Sequence, residues 1–154
     1  MEMKIHRFRR VRDVREKEKV LAQEELARYR RQLQELFCAI SDAEAEKEKA
    51  VIAFAELCSA SSSLEEVWLQ RQAIEEAQGR LADMKKNLSA LQKLIAALEE
   101  RLIERHKEAR LWDKLVSRME EDQIRDGLSQ EQKNLDEVAL SRFSQSKKAM
   151  EGRP

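Results

Sequence analysis

Glycine and proline are nearly missing from this chain: 3 Gly and 1 Pro among 154 residues, against an average combined usage near 12%. Without turn formers a sandwich, barrel or propeller of short strands is excluded. Aromatic residues make up only 5%. The two cysteines, Cys38 and Cys58, form no C-x-x-C or His-containing ligand set. On one helix their spacing of 20 residues puts them roughly 30 Å apart, too far for a disulfide within the chain, so a reduced, cytosolic setting is expected. The longest apolar runs, Ala50 to Ala55 and Leu94 to Leu98, fall far short of the ~20 residues of a spanning helix. The charged N-terminus lacks a signal-peptide core, and a soluble, unprocessed protein is expected.

Charge is abundant instead. Asp, Glu, Lys and Arg account for 39% of residues, balanced at 30 basic and 30 acidic, in a composition that signals long helices or coiled coil. High charge with few aromatics also marks disordered chains, and a regular apolar repeat separates the two. The repeat is present. A seven-residue frame places Leu26, Leu33, Ile40 and Phe54 at one seam position and Tyr29, Leu36, Ala43, Ala50 and Leu57 at the other, with Lys47 the charged intruder. Upstream, Ile5, Phe8 and Ala22 keep the frame while Arg12, Arg15 and Lys19 interrupt it. A second seam alternates Val67, Ile74, Leu81, Leu88, Ile95, Leu102, Ala109 and Val116 with Ala77, Met84, Leu91, Leu98, Arg105, Trp112 and Met119.

Between the seams lies a Ser-rich stretch in which Ser62 with Glu65, or Ser63 with Glu66, makes a capping box that starts a new helix. The reading is an all-α fold: a long antiparallel two-helix coiled-coil hairpin with an overhanging C-terminal helix. It is treated as one elongated domain, with helix 1 over about 4–58, a turn at about 59–63, helix 2 over about 64–146 and a possible break near Gly127. Antiparallel pairing brings the seams into register for residue numbers that sum to 124, so that Ile40 faces Met84, Leu33 Leu91, Leu26 Leu98 and Ile5 Met119. Two layers are poor. Arg12 meets Trp112, where a cation–π contact is the available remedy, and Lys19 meets Arg105, which repel unless they reach outward to Glu18, Glu104 or Glu108. A soft segment is expected there.

The first helix is exhausted opposite about residue 120, leaving Glu121 to Pro154 without a partner helix in this chain. A new stripe of Ile124, Leu128, Leu135 and Val138 appears in that overhang at helical spacing, and an apolar stripe without an internal partner suggests an external one; a frayed tail is the bland alternative. Residues 120–137 carry seven acids against two bases, while the first nineteen residues carry eight bases, including Arg7, Arg9, Arg10 and Arg12, against four acids. Such runs are most often solvated faces. Catalysis finds no support: His6 and His106 are isolated, and no phosphate loop, nucleophile elbow or zinc-protease pair occurs. No cofactor or metal ligand set is expected.

The opening run from Ile5 through Arg7, Phe8, Arg9 and Arg10 to Lys19 resembles the N-terminus of the flagellar export protein family FliJ and its injectisome counterpart, the YscO family. The run from Gln132 to Ala139 with its basic tail resembles the FliJ C-terminal pattern, and Ser63 to Gln70 the start of its second helix. The resemblance implies a non-enzymatic, cytoplasmic stalk protein, peripherally associated with the membrane-embedded export apparatus, similar in fold to the gamma subunit of rotary ATP synthases. Its expected partners are the hexameric export ATPase, the cytoplasmic domain of the export gate, and export chaperones. On this chain the ATPase side falls on Ile124, Leu128, Leu135 and Val138 with Arg7, Arg9 and Arg10, and the gate side on Trp68. Two other readings stand beside it: a generic coiled-coil adaptor or prefoldin-like chaperone, and a nucleic-acid-binding arm, which zero net charge and scarce exposed aromatics oppose.

Overall fold

The computed structural model describes residues 2–60 and 63–152. They form two helices, α1 over Glu2–Ser59 and α2 over Leu64–Glu151, of 58 and 88 residues. Lengths of this order are possible because neither contains proline and both are rich in Ala, Leu, Glu, Lys, Arg and Gln, the residues that lose least on entering a helix. The two pack against each other as an all-α hairpin.

Helix ends follow local chemistry. At the start of α2 the Glu66 N–H donates to Ser63 Oγ at 3.4 Å and the Val67 N–H to the Ser63 carbonyl at 3.2 Å, an N-cap that satisfies donors left without intrahelical partners. Glu65 and Glu66 in the first turn complement the helix dipole. The alternative cap, Ser62 with Glu65, lies outside the described residues. At the end of α1 the Glu56 carbonyl accepts from both the Ala60 N–H at 3.1 Å and the Ser59 hydroxyl at 3.0 Å. The break considered near Gly127 is not there: α2 runs through it without interruption and no glycine takes a positive φ. A single glycine costs a helix only about 1 kcal/mol, less than a chain break would forfeit in backbone hydrogen bonds.

The chain divides into two compact units, Met1–Lys17 with Lys107–Pro154, and Glu18–His106. In the second unit, Leu26, Ile40, Leu81 and Ile95 are buried, and the remaining seam residues from Ala22 to Leu57 and from Val67 to Leu102 are half-buried. The helices run antiparallel here, because Arg30 pairs with Glu99, Glu44 with Lys85, and the Gln70 amide donates to the Ala50 carbonyl. Where the seam carries the small residues Ala43 and Ala77, an open groove remains, lined also by Ala39, Asp42, Glu46, Arg80 and Met84. Arg105, opposite Lys19 in the seam register, reaches outward to Glu18, one of the carboxylates expected to relieve that layer, Nη1 to Oε2 at 3.0 Å.

In the first unit Ile5, Ala109 and Val116 are buried, and the same antiparallel sense follows from Arg9 with Glu120 and Arg15 with Glu108. Trp112 takes a different neighbour from the one expected. Its ring centroid lies 5.4 Å from that of Phe8 at an interplanar angle of 35°, while the Arg12 Nε turns to the adjacent Asp13 at 3.3 Å. An aromatic partner one turn away on α1 offers the indole more apolar area than a guanidinium held on a carboxylate.

Candidate partner-binding surfaces

The end of the apolar seam defines the first surface. On α2 the last inward-facing side chains are Val116, Met119, Glu120 and Gln123, and from Ile124 to Gly152 every described residue is exposed. Glu120 closes the packed part: its Oε1 accepts from both Arg9 Nη2 at 3.0 Å and Nε at 3.1 Å. Beyond it the stripe residues stand open, Ile124 65%, Leu128 61%, Leu135 65% and Val138 48% exposed. Local pairs along that stretch, Arg125 with Asp122, Gln130 with Asn134 and Gln132 with Asp136, each add a few tenths of a kcal/mol to the backbone hydrogen bonds of the helix.

The basic N-terminal residues separate into two groups. Arg9 is half-buried and committed to Glu120, and Arg15 reaches Glu108 at 3.7 Å, so these act within the fold. Arg7 and Arg10 are exposed, form no ion pair among the described residues, and line a shallow depression with Met3 and His6. Of the three arginines expected at a partner surface, two are therefore available and one is structural.

At the start of α2, Trp68 is 60% exposed beside Leu64 at 89% and Leu69 at 61%. Arg71, Gln72 and Glu75 flank the indole, and Arg71 pairs with Glu75 at 3.6 Å. An exposed tryptophan next to two exposed leucines is the kind of anchor that protein interfaces use. Sequence reasoning singled out Trp68 and missed its leucine neighbours. It also missed Leu140, Phe143 and Met150, all strongly exposed, which lie on a second face of the overhang. Their signal was available as spacing of three and seven residues.

Among the described residues no group of three or more His, Cys, Asp or Glu is placed to hold a metal ion, and no helix among them is long and apolar enough to cross a membrane. What the molecule offers is exposed helical surface. The model of the flagellar FliJ protein family matches residues 3–148. The chain belongs to the FliJ family. As a member it is a component of the flagellar protein-export apparatus. No curated protein and no solved structure matches the chain.

Proposed function

We propose that this FliJ-family chain is a non-enzymatic central stalk of the type III flagellar export apparatus. It binds and activates the hexameric export ATPase and links it to the export gate and to export chaperones. The exposed stripe of Ile124, Leu128, Leu135 and Val138 carries the reading: an apolar face on a continuous helix, left uncovered by its own chain, fits the axis of a ring better than it fits solvent. Arg7 and Arg10 stand exposed in the same unit and suit acidic groups at the ring entrance. A stalk in a six-fold ring meets six identical subunits with a surface that lacks six-fold symmetry. Its contacts are then small and interchangeable, as exposed aliphatic side chains on one helix are, and they act by favouring particular subunit conformations.

Trp68, with Leu64 and Leu69, is the surface assigned to the cytoplasmic domain of the gate. The association with membrane machinery is peripheral, and the protein acts in the cytoplasm. Zero net charge, 30 bases against 30 acids, weighs against a nucleic-acid arm. The test is the ATPase rate and hexamer content of the cognate export ATPase, with the full chain and with a truncation ending at Asp122. Stimulation by the full chain that disappears on truncation is the expected result. No binding and no rate change would leave a generic coiled-coil adaptor.

A further inference from the structure

From Ile124 the exposed part of α2 continues a heptad seam in steps of four and three: Leu128, Glu131, Leu135, Val138, Arg142, Gln145 and Ala149, all exposed. The positions beside this seam between Gly127 and Ser146 are Gly127, Gln132, Asn134, Ala139, Ser141 and Ser146, with no charge among them. Charge flanks the seam only at its two ends, as Arg125 and Lys148, so a second helix can approach closely along the middle of the segment without burying a flanking charge. Two charged residues within the seam, Glu131 and Arg142, decide which helix fits.

We propose that two copies of the chain pair antiparallel through residues 124–149 of α2. In the register where facing residue numbers sum to 273, Leu135 meets Val138 of the second copy and the reverse. Glu131 meets Arg142, Leu128 meets Gln145 and Ile124 meets Ala149, each twice by the two-fold symmetry. Every seam charge thus faces its opposite. Parallel pairing sets Glu131 against Glu131 and Arg142 against Arg142, which the symmetric contact forbids. The charge of the whole segment has the same polarity, though more weakly, because Asp126, Glu131 and Asp136 outnumber Arg125 and Lys133 before the centre while Arg142, Lys147 and Lys148 outnumber Glu137 after it. The paired length, about 39 Å at 1.5 Å per residue, contains only four aliphatic seam residues per copy larger than alanine, so the dimer is weak and salt-sensitive.

This pairing covers the same stripe assigned to the ATPase ring, so dimer and ring-bound monomer exclude one another. It stands independently of the ring reading, since it requires only the purified chain. Sedimentation equilibrium of the full-length protein under reducing conditions, at low salt and from about 1 to about 200 µM, is expected to show a reversible monomer–dimer equilibrium. Arg142→Glu and Glu131→Arg each weaken it about tenfold or more, and the double variant Glu131→Arg with Arg142→Glu returns it to the parent value. A monomer throughout that range, a dimer indifferent to the single changes, or a double swap without recovery overturns the proposal. Activation of the ATPase by a chain that never dimerises would overturn it while leaving the stalk reading intact.

Discussion

Leu26 and Leu128 sit on apolar stripes of the same period in one continuous chemistry of Ala, Glu, Lys, Leu and Arg, yet one is 2% exposed and the other 61%. In the Glu18–His106 unit each seam residue of α1 has a counterpart on α2. Beyond Glu120 the seam residues of α2 have no counterpart in their own chain. Periodicity therefore reports that a face is made for packing, and only the supply of partner residues reports whether the packing is internal. The sharpest way to break this comparison is the same substitution at both sites. Leu26→Asp places a charge where Leu26 is enclosed and is expected to cost about 3 kcal/mol or more. Leu128→Asp is expected to change stability by less than about 0.5 kcal/mol. Thermal unfolding followed by circular dichroism checks both, and equal effects would mean that Leu128 is covered in solution by something other than water.

A smaller contrast lies within the packed part. The division between the two units falls after Lys17 and His106, close to the layers where Arg12, Arg15, Lys19 and Arg105 replace apolar seam residues. Few apolar contacts mean a low local opening free energy, so amides of residues 12–19 and 105–112 are expected to exchange faster than those of 26–40 and 81–95. Arg12→Leu restores an apolar layer beside the Phe8–Trp112 pair at the loss of an exposed contact to Asp13, and should stabilise by about 1 kcal/mol. Hydrogen exchange measured by mass spectrometry reads both. Uniform protection across all four segments would show that the charged layers are as firm as the aliphatic ones.

The seam was legible in the sequence because a seven-residue repeat encodes a face directly, and each predicted seam residue is buried or half-buried. The ion pairs were less legible. Arg9 with Glu120, Arg30 with Glu99 and Glu44 with Lys85 have numbers that each sum to 129, a flanking register offset from the seam sum of 124. The offset had to be known before Arg9 could be told from Arg7 and Arg10. Trp112 was misassigned because a position-by-position register pairs it with Arg12, whereas a large ring reaches the neighbouring layer and finds Phe8. The overhang was visible as a difference in helix lengths, but its occupant was not, since exposure of a stripe carries no name.

Gly127 offers the finest test, because it changes the helix without touching the stripe. The residue is helical, its φ is not positive, and a Cβ built there meets nothing within 4 Å, so Gly127→Ala introduces neither strain nor a clash. Alanine is favoured over glycine in a helix interior by about 0.5–1 kcal/mol, mostly through the freedom glycine retains when unfolded. That gain is local to an overhang that unfolds independently of the seam, so the global melting temperature should stay fixed while amide protection from about residue 124 to 138 rises severalfold. A raised melting temperature would instead show that the overhang and the packed seam melt as one cooperative unit, and that the two stripes compared above share their stability after all.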